Sequence, residues 1–169
     1  MFKEERQVKQ HFIEWYSINA RKLPWRKKLK HNLHNPYFVF VSEYMLQQTT
    51  VGTVKKKFKE FILKWPNLKR LAKATEPQIL KFWSGLGYYS RAKNLLKSAK
   101  IIQKNYSSKI PQSYDELIKL PGIGDYTAKA ILGIAYNETV MPIDANIERI
   151  LVRLHAINQP VSKVKDKLK

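Results

Sequence analysis

The chain has no cysteine in its 169 residues, which excludes disulfides, thiolate zinc sites and thiol nucleophiles. No apolar run approaches the roughly 18 residues of a membrane span, and Met1 leads into FKEERQVKQ, which lacks the apolar stretch of a signal peptide. A soluble intracellular protein is the expectation. Acidic residues are scarce: 13 Asp and Glu stand against 32 Lys and Arg, for a formal net charge of +19. Such a field concentrates polyanions, of which nucleic acid is the commonest, although a lysine-biased composition produces the same number. Strict alternation of apolar and polar residues is also scarce, which argues against half-buried strands.

What is present is helical periodicity. Apolar residues recur three and four apart at Val8, Phe12, Trp15 and Tyr16, again at Val54, Phe58, Phe61 and Ile62, then from Ala92 through Leu95, Leu96, Ala99 and Ile102. A last stripe runs through Ile147, Ile150, Leu151 and Leu154. Each is one face of an amphipathic helix. The eight prolines fall between the stripes, where a residue without an N–H ends or starts a helix. YFVFVSEYML (37–46) could pass for a strand, but its pattern continues through Gln47 and Gln48 to Val51 and Val54 and favours a helix. An all-α chain follows, with one core or two interleaved lobes and a charged, frayed end at VSKVKDKLK.

Residues 120–128, LPGIGDYTA, hold two glycines two apart. A short stripe (Tyr114, Leu117, Ile118) precedes them and another (Thr127, Ala128, Ile131, Ile134, Ala135) follows, so the motif reads as helix, turn, helix. The dinucleotide-binding reading needs a strand before the glycines and is removed. What remains is a hairpin whose glycines allow close backbone approach, with the N–H groups of the second helix presented at its positive end, a phosphate grip that carries no sequence information. A purely structural turn between two helices is the plainer alternative. Asp125 stands where it could cap the second helix. His31 and His34 lie three apart, but no further ligands cluster with them and no metal is expected.

Four motifs in order, LPWR (23–26), PYFVFVSEYMLQQTTV (36–51), WSGLGYYSRAKNL (83–95) and LPGIG followed by MPIDANIERIL (141–151), span most of residues 8–155. This set resembles the helix-hairpin-helix DNA glycosylase superfamily that includes endonuclease III, and within it the adenine DNA glycosylase (MutY-type) branch. The resemblance implies a six-helix barrel lobe over 23–135, with the hairpin at about 114–135. A second, incomplete helical lobe would be made from the two ends, 1–22 and 136–169. It implies duplex DNA with mismatched or oxidised base pairs as partner, action as a monomer, and a place at the bacterial nucleoid in the cytoplasm.

By the same resemblance, Glu43 protonates the departing base and manages water, and Asp144 stabilises the positive sugar, as two carboxylates do in glycoside hydrolysis. Glu43 then needs a raised pKa, which its apolar neighbours Val41, Tyr44, Met45 and Leu46 would supply. Asp144 must stay ionised, with hydrogen bonds expected from Asn146. Tyr126 occupies the position where strand-cleaving relatives carry a lysine that forms a Schiff base, so a monofunctional hydrolase is expected. Gln48 and Tyr88 are expected to enter the base stack, and Arg26 to contact the flipped base. Gln47, Arg91, Leu120, Gly122, Gly124 and Thr127 are expected at the DNA, while the plainer reading of Tyr89 is core packing.

Asp144-Ala145-Asn146 also fits a thymine-removing branch acting on G·T mismatches, whereas SEYMLQQTT and GLGYYSRAKNL favour adenine. A DNA-binding module without chemistry is the other alternative, and Glu43 and Asp144 argue against it. The family continues with four cysteines holding a 4Fe-4S cluster and a further recognition domain. No cofactor can be bound by this cysteine-free chain, and weak or absent turnover is expected of residues 1–169.

Overall fold

The computed structural model describes residues 2–27 and 33–159. The expectations for His31 and for the terminal VSKVKDKLK stretch lie outside them. Among the described residues the elements are helical: α1 (Phe2–Asn19), a 3-10 turn (Pro24–Arg26), α2 (Pro36–Leu46), α3 (Val51–Lys64), α4 (Leu68–Ala72), α5 (Glu76–Trp83), α6 (Tyr89–Asn105), α7 (Tyr114–Leu117), α8 (Asp125–Tyr136) and α9 (Ala145–Leu154). The stretch that could have been a strand is helix α2.

Local chemistry explains the boundaries. Pro36 begins α2 where its missing N–H costs nothing, and the Asn35 side chain accepts from the backbone N–H groups of Tyr37 (3.0 Å) and Phe38 (3.3 Å). Thr50 caps α3, Asn67 caps α4, and Thr75 with Gln78 forms a capping box on α5.

Helix α2 is the centre of the body. It packs on α3, α6, α8 and the 3-10 turn, and Val39, Phe40, Val41, Tyr44 and Met45 are wholly buried. The Ala92–Ile102 stripe of α6 is buried as the periodicity predicts, and Phe82 meets Phe61 and Trp65 edge to face at 5.3 and 5.4 Å, those two being tilted at 4.8 Å. Trp25 of the 3-10 turn is buried against Phe58, with ring centroids 5.4 Å apart. The outer helices differ: Phe12 and Trp15 on α1, and Ile150 and Leu154 on α9, remain more than half exposed. No helix among the described residues is long and apolar enough to cross a membrane.

Helices α7 and α8 form the hairpin, joined by a turn in which Gly122 has φ +80°. A side chain there would be strained by conformation and by contact, since a Cβ would lie 2.9 Å from Asn94 Cβ and 3.1 Å from the Tyr44 ring. Behind the turn, the Tyr44 hydroxyl donates to the Pro121 carbonyl at 2.5 Å, and Ser98 donates to the same carbonyl at 3.0 Å. Gly122→Ala is therefore expected to cost about 2–4 kcal/mol, combining left-handed strain with overpacking. Urea unfolding should show a lower midpoint at unchanged slope; an unchanged midpoint would refute the tight contact.

Candidate active site

Glu43 is the single charged residue of α2 and is 7% exposed. Removal from water disfavours its carboxylate, so its pKa is pushed up to about 7 by burial, with the Arg26 charge pulling the other way. It lines a cavity of about 370 Å³ that also receives Arg26, Tyr126 and Asp144, within the roughly 300–1,000 Å³ typical of small-molecule sites.

Asp144 arrives from a different direction, as the N-cap of α9. Its Oδ1 accepts from the backbone N–H groups of Asn146 (2.9 Å) and Ile147 (2.8 Å), and its Oδ2 accepts from the Asn146 amide at 3.2 Å. The expected hydrogen bonds from Asn146 are thus present, and both oxygens act as acceptors at the positive end of a helix. Tyr126 stands in the first turn of α8. Its phenol is held above the ordinary tyrosine range by burial first, then by the negative charges of Glu43 and Asp144, against the opposing pull of Arg26.

The cavity unites six of the sequence-predicted residues: Arg26, Glu43, Gln47, Tyr126, Thr127 and Asp144. Others lie outside it. Gln48 and Tyr88 are exposed, each with a left-handed backbone (φ 56° and 47°), a conformation costly for residues with a Cβ and concentrated at functional sites. Gly122 and Gly124 present exposed backbone at the hairpin, and Gly124 is the N-cap of α8 with no side chain over the helix end.

Several expectations need correction. Arg91 is 6% exposed and its guanidinium is spent on backbone carbonyls, so it does not offer its charge to a phosphate. The Leu120 and Thr127 side chains are buried, so their backbone is what they offer to DNA, and the Gln47 amide donates to the Gly122 carbonyl at 3.0 Å. Asp125 is not the cap of α8; it follows the cap, accepts from the Tyr114 hydroxyl at 2.8 Å and pairs with Lys129 at 3.0 Å. Tyr89, read as core, is 48% exposed.

Sequence reasoning also missed Tyr16, whose hydroxyl accepts from Arg26 Nη1 at 2.7 Å and so aims that guanidinium. Tyr16 falls within the apolar stripe of α1, and nothing local distinguishes it. Val51 and Trp25 line the cavity too, and both sit inside the quoted motifs. The iron–sulfur cluster implied by resemblance requires cysteine thiolates; the chain has none, so no residue here fits that group.

The fold matches that of a solved thermostable thymine-DNA glycosylase with a TM-score of 0.77 and 26% identity, over 89% of this chain and 68% of that one. An all-helical body with a glycine hairpin beside a carboxylate-lined cavity is thus the architecture of helix-hairpin-helix DNA-repair proteins. The chain belongs to the HhH-GPD superfamily base excision DNA repair proteins, whose pattern residues 41–169 match. It is 47% identical over 147 residues to the adenine DNA glycosylase of Buchnera aphidicola subsp. Acyrthosiphon pisum, covering 86% of this chain and 41% of that protein. The adenine DNA glycosylase of Buchnera aphidicola subsp. Baizongia pistaciae is 45% identical over 150 residues, 88% of this chain and 41% of the relative. The chain therefore spans 41% of the length of these relatives.

Proposed function

We propose that the chain is a monofunctional DNA glycosylase that hydrolyses the bond between adenine and deoxyribose where adenine is mispaired with 8-oxoguanine or guanine. The observation that carries this reading is a buried glutamic acid with pKa near 7 sharing a cavity with a helix-capping aspartate. An acid poised near neutrality can hold a proton for a leaving base and release it in the transition state. Asp144, outside the apolar helix and surrounded by donors, suits the opposite task of facing a developing positive sugar.

The target base must leave the stack to reach this cavity. Gln48 and Tyr88, exposed on two separate turns, are the residues we assign to the vacated space; an aromatic ring stacks on any base, at about 1–3 kcal/mol. The exposed backbone at Gly122 and Gly124 and the N-terminus of α8 would hold a phosphate of the double-stranded partner, with the protein acting as a monomer. Tyr126 cannot form an imine with the sugar, and Lys129, the nearby amine that could tempt a strand-cleaving reading, is held by Asp125 at 3.0 Å. The exposed apolar faces of α1 and α9 support the division into a central lobe (23–135) and pieces of a second lobe (1–22 and 136–169).

Identity of 45–47% to adenine DNA glycosylases, against 26% to the thymine-DNA glycosylase, supports adenine as the base. Removal of thymine from G·T is the second reading, favoured by that structural likeness. Single-turnover excision with protein in excess decides between them. Weak turnover is expected of this chain, so protein in excess over a single turnover is the condition under which release of adenine from A·8-oxoguanine and A·G duplexes should be seen, exceeding thymine release from G·T by about tenfold or more. Release of thymine alone would transfer the assignment to the second reading, and no excision from any duplex would leave only the DNA-binding module.

A further inference from the structure

One guanidinium joins the two turns that carry Gln48 and Tyr88. Arg91 lies in the first turn of α6 and reaches back beneath both. Its Nη1 donates to the carbonyls of Tyr44 (3.2 Å), Met45 (2.9 Å) and Gln47 at the end of α2. Its Nη2 donates to the carbonyls of Leu86 (2.7 Å) and Gly87 (3.0 Å) ahead of α6. The carbonyls of Gln47 and Gly87 belong to the peptide groups entering Gln48 and Tyr88, both exposed and both with left-handed backbone. The same guanidinium carbon lies 5.6 Å from the Trp83 ring centroid and 5.7 Å from that of Tyr88, while Trp83 Nε1 donates to the Gly87 carbonyl at 3.1 Å.

This arrangement has a consequence beyond stability. The C-terminal end of α2 and the loop between α5 and α6 turn carbonyls toward one spot, and a planar fork with donors on both arms can reach both sets at once, whereas an ammonium is a point donor on a flexible stem. Charge-assisted hydrogen bonds of this kind also fix direction. The two peptide planes are therefore tied to each other through one side chain.

We propose that Arg91 is a positioning residue for base extrusion: by clamping the peptide groups that enter Gln48 and Tyr88, it holds these two residues in one mutual register, so that they enter the duplex as a single wedge. The proposal rests on the base-flipping reading above.

The test uses the whole chain and a duplex carrying 2-aminopurine at the target position opposite guanine, whose fluorescence rises on unstacking and needs no turnover. Wild type, Arg91→Lys, Gln48→Ala, Tyr88→Ala and the combined variants are compared, with anisotropy on an unmodified duplex and circular dichroism as controls. The expected result is that Arg91→Lys loses about tenfold in the equilibrium for unstacking, the loss of one or two charge-assisted hydrogen bonds, while duplex affinity stays within about threefold. Adding Gln48→Ala or Tyr88→Ala to Arg91→Lys should then change the signal by less than about twofold, because the wedge is already out of register.

An Arg91→Lys chain that unstacks the base as wild type does, or losses that simply multiply, would overturn the proposal. Should Arg91→Lys lose its helical signal, the cycle between Gln48→Ala and Tyr88→Ala in the wild-type chain supplies the answer: coupling between the two turns supports the clamp, and independent effects overturn it. A wild-type chain that binds duplex yet gives no fluorescence rise would defeat the base-flipping reading itself and this proposal with it, a result distinct from a defect confined to Arg91→Lys.

Discussion

Glu43→Gln is expected to lower base excision by about 10²–10⁴-fold, the usual contribution of a positioned general acid, and at the same time to make the folded chain more stable at alkaline pH. Both effects come from one cause. Glu43 is buried on an otherwise apolar helix, and desolvation raises its pKa from 4.5 to about 7. The folded chain therefore binds this proton more tightly than the unfolded chain does. Below pH 4.5 the carboxyl is neutral in both states and burial carries no charge penalty. Between 4.5 and 7 the unfolded chain gives up its proton first, so stability falls as pH rises, and above 7 the full penalty is present. At about 1.4 kcal/mol per pKa unit, the penalty is about 3 kcal/mol. Glutamine has the same shape and no charge to desolvate. Urea melts should accordingly show Glu43→Gln equal to the wild type near pH 4 and more stable by about 3 kcal/mol near pH 8. The excision rate of the wild type should fall about tenfold per unit above pH 7, as the acid loses its proton. A stability difference that does not change with pH, or an unchanged excision rate, would remove Glu43 from the acid's place.

Asp144 has two roles that separate by substitution. As the N-cap of α9 it accepts from two backbone N–H groups and from the Asn146 side chain. As an anion in the cavity it faces the site of positive charge in the proposed reaction. Asn caps a helix about as well as Asp but carries no charge. Asp144→Asn should keep stability within about 0.5 kcal/mol and lower single-turnover excision by about 10²–10³-fold, the scale of losing one preorganised electrostatic partner. Asp144→Ala should show the same kinetic loss together with about 1 kcal/mol of lost stability from the missing cap. If Asp144→Asn excises at the wild-type rate, the charge is not used and Asp144 is only a cap.

Much of this molecule could be read from the order of its residues, because helices are built from interactions that span one or two turns. The stripes of α3 and α6, the proline starts of α2 and α5, and the turn between α7 and α8 all follow from neighbours close in the chain. Glu43 was legible through the resemblance of its motif, SEYMLQQTT, and its apolar neighbours implied the loss of water that raises its pKa. Asp144 was legible by the same resemblance, in MPIDANIERIL, and its hydrogen bonds from Asn146 come from two residues away.

Only tertiary structure decided where the long side chains go and what the turns are tied to. Arg91 is one of 32 basic residues, and a position in sequence does not distinguish a cation facing solvent from one drawn beneath the end of α2 and the α5–α6 loop by five carbonyls. The partnership of Tyr16 with Arg26 crosses from α1 to the 3-10 turn, and Asp125 is engaged by Tyr114 and Lys129. The need for glycine at 122 rests on Asn94 and Tyr44, residues 28 and 78 positions away in the sequence. Local periodicity determined the helices and the hairpin, and a motif marked the acid; the destinations of flexible polar side chains depend on carbonyls and rings that come together only when distant segments pack.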